Sequence, residues 1–152
     1  MPNTKRSPLN SINKMGRILA IDYGKKRTGL AVTDPLRITA NPLLTINTNE
    51  LIPWLRDYFQ REPVDEVVIG HPTQLNGQES ASMQWIRPFM DLFKRTFPNM
   101  PLKMFDERFT STLAHRAMID GGLTKTQRQD KAMVDKIAAC IILEDYLQWT
   151  KE

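Results

Sequence analysis

The sequence predicts an α/β fold built on a five-stranded mixed sheet, three antiparallel strands followed by two parallel ones, with helices flanking it. The apolar run Ile18-Leu19-Ala20-Ile21 is too continuous to have one wet face, so it belongs in the middle of a sheet. A second strand-like segment, Thr28-Gly29-Leu30-Ala31-Val32-Thr33, follows after only the basic turn Lys25-Lys26-Arg27, a spacing that makes an antiparallel hairpin. Further along, helix-like and strand-like segments alternate, the order that gives parallel pairing.

The first strand starts at Arg17 and ends in the turn Asp22-Tyr23-Gly24, and a third strand is expected from Ala40 to Ile46. Leu51, Trp54, Leu55, Tyr58 and Phe59 fall at helical spacing within residues 49–60, with Pro53 tolerable in a first turn. Val64 to Ile69 reads as a fourth, buried strand, which Gly70-His71-Pro72 breaks into a loop carrying the turn signal Asn76-Gly77. Residues 79–96 read as a second helix, kinked or begun late because of Pro88, and Leu102 to Phe105 as a fifth short strand. Thr110 to Ile119 is expected to be a helix ended by Gly121-Gly122, and Asp130 to Trp149 a long last helix, with the polar stretch LTKTQRQD between them as a loop. An antiparallel meander, then helix and parallel strand twice, then helices, without internal repeats, is the order of elements in the ribonuclease H-like fold.

The length of 152 residues, 41% hydrophobic and 25% charged, suits one domain, read here as residues 17–150. Residues 1–16 are polar, contain two prolines and three basic side chains, and read as a flexible extension lacking the apolar stretch of a signal peptide. No later run approaches the roughly 18 apolar residues of a membrane span. The single cysteine, Cys140, sits in the apolar run Ile137 to Ile142, which excludes a disulfide or a thiolate metal site within the monomer. These features lead us to expect a cytoplasmic protein. A formal charge of +4 and a pI near 9.3 favour a polyanionic partner, although a solvated basic surface accounts for the same balance.

Three places along the chain put acids where apolar residues are expected. Asp22 ends the most buried strand on the face of Ile18 and Ala20. An ionised carboxylate there requires compensation, either from a metal ion or from the backbone amides of a turn, and both accounts fit the position. Asp106 and Glu107 stand where the fifth strand ends and point to opposite faces of an extended chain, so only one joins Asp22 easily. Capping the next helix and pairing with Arg108 is the alternative for that pair. Asp135 interrupts a helix that is otherwise apolar, and Ala138, Ala139 and Ile142 share its face, small enough to let it lie close to the sheet. Burial favours a functional acid there over a surface pair with Lys131, which is worth only a few tenths of a kcal/mol. Three acids at one edge repel by several kcal/mol unless cations separate them. Oxygen ligands suit Mg or Mn, and two such ions roughly 4 Å apart activate water and stabilise the leaving oxygen in phosphodiester hydrolysis.

The chain resembles the YqgF/RuvX family, the Holliday junction resolvase or pre-16S rRNA nuclease group of the ribonuclease H-like fold. The resemblance covers Arg17 to Tyr146 and is carried by four motifs in order. They are Ile21-Asp22-Tyr23-Gly24 with Arg27 to Val32, Val68-Ile69-Gly70-His71-Pro72 with Asn76-Gly77 and Glu79-Ser80, Asp106-Glu107-Arg108-Phe109-Thr110-Ser111-Thr112, and Val134 to Ala139. By that resemblance Asp22, Glu107 and Asp135 are catalytic and bind the metal, with Asp106 as the substitute for Glu107, and Arg108 contacts phosphate. His71 departs from the family's usual leucine, and for a lone histidine packing or solvent contact is the simpler account. Lys25, Lys26 and Arg27, with Lys125, Arg128 and Lys131, are expected to border the carboxylate edge and contact phosphates, though each group also reads as a solvated turn. The implied activity is processing of the 5′ end of pre-16S rRNA in ribosome biogenesis, on precursor RNA or ribosomal precursor particles. Branched DNA cleavage is the alternative.

Two rivals come from other classes. An actin-like or sugar-kinase ATPase shares the aspartate hairpin but needs two lobes, and this length supplies one. An RNA- or ribosome-binding module that cleaves weakly would not need all three acids. Trp54 and Trp85 lie at helical core spacing and Trp149 near a helix end, so none of them reads as a base-stacking platform.

Overall fold

The computed structural model describes residues 16–71, 80–106 and 131–150. Its strands are β1 (Arg17–Asp22), β2 (Arg27–Thr33), β3 (Ala40–Asn47), β4 (Val64–His71) and β5 (Leu102–Asp106). A short 3-10 turn, Thr48–Glu50, leads into helix α1 (Leu51–Arg61), α2 is Met83–Thr96 and α3 is Lys131–Thr150. The sheet order is β3-β2-β1-β4-β5, with β1 antiparallel to β2, β2 antiparallel to β3, and β1, β4 and β5 parallel. The five-stranded mixed sheet expected from the sequence is therefore the one observed.

β1 occupies the centre because both of its faces are apolar. Leu19 and Ile21 enter a core with Leu51, Leu55 and Tyr58 of α1 and Met83, Ile86, Phe89, Met90 and Phe93 of α2. Ile18 and Ala20 enter a second core, on the other face, with Ala31, Val68, Phe105 and the α3 residues Ala139, Cys140, Ile142, Leu143, Tyr146 and Leu147. Each fully buried Leu or Ile contributes about 1.5–3 kcal/mol relative to an exposed one, so two such layers anchor the strand. The buried residues of α1 and α2 recur three or four positions apart, which is why each helix presents one stripe to the sheet.

The structure corrects two boundaries. β4 continues through Gly70 to His71 instead of breaking after Ile69, because β5 offers it partners as far as Gly70↔Phe105 and His71↔Asp106. Asp106 correspondingly belongs to β5 and not to a following turn. Helix α2 begins late, at Met83, with Pro88 inside it at the cost of one backbone hydrogen bond. The expected helix Thr110–Ile119 and the loop 123–130 lie outside the described residues, as does the Asn76-Gly77 turn. Among the described residues no helix is long and apolar enough to cross a membrane. Cys140 is buried, and that burial pushes its thiol pKa up to about 12.

Candidate active site

The carboxyl ends of β1, β4 and β5 share one edge of the sheet, and the turn from β1 to β2 closes beside them. This turn is tight: a Cβ on Gly24 would run into the carbonyl of Arg27. The first residue after β3 clamps it, for Thr48 donates its hydroxyl to the Gly24 carbonyl at 2.7 Å and its amide to the Lys26 carbonyl at 2.9 Å. Lys25, Lys26 and Arg27 are consequently held exposed beside that edge.

Asp22 is half-buried at the end of β1, and strand alternation puts it on the α3 face with Ile18 and Ala20. Its partner across the ladder is Gly29 of β2. Residues opposite one another in a sheet point the same way, so the bare Cα of Gly29 faces α3 beside Asp22. The helix uses that gap. A Cβ on Gly29 would run into the carbonyl of Asp135, and the Lys136 amide nitrogen lies 2.9 Å from the same point. Helix and strand backbones thus touch at one place, which brings the Asp135 turn of α3 down beside Asp22.

The Asp135 side chain is 25% exposed and accepts a hydrogen bond from Arg27 Nε at 2.9 Å. The expected small-residue face is present in part: Ala139 and Ile142 are buried against the sheet, while Ala138 is only half-buried. Gly29 is the residue that sequence reasoning passed over, although a glycine inside an apolar strand is the usual mark of a close backbone approach.

Asp106 stands on the other side. Phe105 packs in the α3 core and Leu102 against the α1/α2 core, so alternation gives Asp106 the latter face, opposite His71 in the register and away from Asp22. Glu107, Arg108, Lys125 and Arg128 lie outside the described residues, and of Lys131 only the backbone, at the start of α3, is described. Among the described residues no three metal-capable side chains form a cluster. Asp22 and Asp135, which the backbone approach at Gly29 brings to the same side of the sheet, carry hard oxygen donors, and Asp135 already holds a cationic side chain, so a divalent metal ion fits their chemistry.

Lys25 takes a different direction from Arg27, with its ammonium 5.6 Å from the centre of the Trp85 ring on α2. Trp85 is only half-buried: one side packs on the core and the other lines an open groove. Trp85 thus keeps the core contact that its helical spacing predicts and adds an open side to it. Trp54 stacks on Tyr58 at 4.8 Å as a core neighbour, and Trp149 is exposed near the end of α3.

Such an arrangement, a central strand and a last helix delivering carboxylates to the carboxyl edge of a mixed sheet, defines the ribonuclease H-like class of α/β protein. Two structures of RuvC from Thermus thermophilus share the fold. The one in complex with a Holliday junction substrate has a TM-score of 0.56 over 89% of this chain and 96% of that one, at 13% identity, and the other a TM-score of 0.54. The profile of the RuvX family, described as Holliday junction resolvase, matches residues 16–149, and the chain belongs to that family. Proteins named "Putative pre-16S rRNA nuclease" are similar along nearly their whole length. That of Phocaeicola vulgatus is 54% identical over 90% of this chain and 99% of its own, and that of Flavobacterium psychrophilum 54% identical over 88% and 97%. The family resemblance carried by the four motifs is borne out.

Proposed function

We propose that the protein is a metal-dependent endonuclease of the cytoplasm that hydrolyses phosphodiester bonds in pre-16S rRNA, with Asp22, Glu107 and Asp135 as its catalytic carboxylates. The observation that carries this is the contact at Gly29, which sets Asp135 of α3 beside Asp22 of β1 at the open edge of the sheet. Two half-buried carboxylates on one face of the open edge, one of them already meeting a guanidinium, suit the binding of a cation. Asp106 takes the α1/α2 face, away from Asp22, so of the two adjacent acids in that motif we assign Glu107 to the site.

In this scheme Asp22, Glu107 and Asp135 would hold Mg or Mn, two ions in the full site, which would supply water activation and stabilisation of the leaving oxygen. Arg27 neutralises Asp135 and stands beside the incoming phosphate. Lys25, Lys26, Arg108, Lys125, Arg128 and Lys131 hold the backbone of the nucleic acid by charge, without reading its sequence.

RNA is favoured over DNA because relatives 50–54% identical to this chain carry the rRNA nuclease name. The RuvC likeness, at 13% identity, bears on the fold alone. Branched DNA is the second reading, favoured by the description of the family. The test incubates the protein and its Asp22→Asn variant with labelled precursor rRNA and with a four-way DNA junction, each with Mg, Mn or a chelator. Cleavage of the RNA that needs metal and disappears in the variant is the expected result. Cleavage of the junction alone would select the second reading, and cleavage of neither would refute the nuclease.

A further inference from the structure

Immediately after Asp22 the chain crosses to the other face of the sheet. Tyr23 stacks there on Phe89 of α2, ring centroids 4.4 Å apart and 24° between planes. One turn earlier on α2, Trp85 lies beside it with the Lys25 ammonium over its ring. With Asn49 and Gln84 these residues line an open groove of about 610 Å³ between the β1–β2 turn and α2. The Lys25–Trp85 pair is a cation–π contact at a half-exposed indole, so it brings a cation and an aromatic ring together near the carboxylate edge.

The chemistry of the groove matches one nucleotide. Its volume falls in the range of roughly 300–1,000 Å³ that small-molecule sites occupy. The indole has a flat face that the Lys25 ammonium now covers and would yield to a base by swinging to the adjoining phosphate, and Asn49 and Gln84 are exposed beside it. Bases inside a duplex are already stacked and cannot enter, whereas an unpaired base can leave its strand and lie against the ring.

We propose that this groove is a stacking subsite for an unpaired base of single-stranded RNA, seating the nucleotide next to the phosphodiester bond at the carboxylate edge. The inference rests on reading that edge as a nuclease centre, and binding measured without metal separates the two. It converts a substrate that the charged residues hold only by its backbone into one placed by a base.

The test uses the full chain carrying Trp54→Phe and Trp149→Phe, so that Trp85 is the sole indole emitter. In a chelating buffer it is titrated with a short single-stranded RNA, an abasic ribose-phosphate strand of the same length, and an RNA duplex. Single-stranded RNA is expected to quench Trp85 and the other two probes to leave it unchanged. Trp85→Ala is expected to weaken binding of that RNA about tenfold, with Trp85→Phe recovering most of the loss. Equal quenching by the abasic strand or the duplex would overturn the subsite, as would undiminished RNA affinity in Trp85→Ala. Base-dependent quenching in a protein that cleaves nothing would keep the subsite and refute the nuclease. Cleavage without such quenching would do the reverse.

Discussion

Arg27 Nε donates to the Asp135 carboxylate at 2.9 Å, joining the start of β2 to α3 across 108 positions of sequence. The pair is partly exposed, 41% and 25% for the two side chains, which limits its direct contribution to about 0.2–1 kcal/mol. Its larger effect is electrostatic, since the guanidinium offsets the charge that Asp135 brings beside Asp22. Arg27→Gln should therefore lower the melting temperature in a chelating buffer by no more than a few degrees and widen the rise that Mg produces. Thermal melts with and without Mg check this, and an unchanged Mg-dependent rise would remove Arg27 from the account of the site.

Gly29→Ala places a methyl group where the Asp135 carbonyl now lies. Strand and helix must separate, so a destabilisation of about 1–3 kcal/mol is expected, read from urea unfolding. Because the displaced turn carries Asp135, cleavage should fall by more than the loss of folded protein explains. A variant as stable and active as the parent would show that the close approach is incidental.

Asp22→Asn removes one charge from the carboxylate edge while keeping its shape. Cleavage should drop on the order of a hundredfold or more, the scale seen when a single charge-stabilising group is removed from an active site. Stability in the absence of metal should hold or increase, because a like-charge repulsion is relieved. The Mg-induced rise in melting temperature should shrink with it. A large loss of metal-free stability would instead mark Asp22 as a turn-forming acid.

Cys140 sets an alkaline limit. Its thiol pKa is pushed up to about 12 from an ordinary 9.0, chiefly by burial and secondarily by the carboxylate of Glu144. The unfolded chain therefore releases this proton near pH 9 while the folded chain retains it to about pH 12. Its contribution to stability is complete below about pH 9 and is lost as pH rises through that window, with a slope of at most about 1.4 kcal/mol per pH unit. Unfolding midpoints measured from pH 8 to 11 should fall less steeply in Cys140→Ala. In the native parent at pH 8 the thiol should resist alkylation until urea is added.

Much of the fold was legible because it depends on local pattern. The all-apolar β1, the short basic turn to β2, and the three-and-four spacing of α1 and α2 each have one satisfactory arrangement. The end of β4 was not legible, since Gly70 and His71 read as a break until β5 supplies the pairing that keeps them extended. The acids were visible as candidates because a carboxylate in an apolar strand or helix demands compensation, and the motifs matched a family. The core contact of Trp85 was legible and its open side was not, because helical spacing says which residues share a face, not whether both sides of a ring are covered.

What the sequence determined by itself was the order of elements along the chain, the mixed sheet, the family and the acids worth suspecting, all properties of residue type and spacing along the chain. The tertiary structure alone decided that α3 descends on β2 at Gly29, that Arg27 reaches Asp135, that Asp106 faces away from Asp22, and that Lys25 and Trp85 border one groove. Each of these joins residues distant in sequence or depends on which face of the sheet a side chain meets. Such relationships are set by how the helices close over the two faces of the sheet, and no local pattern encodes that.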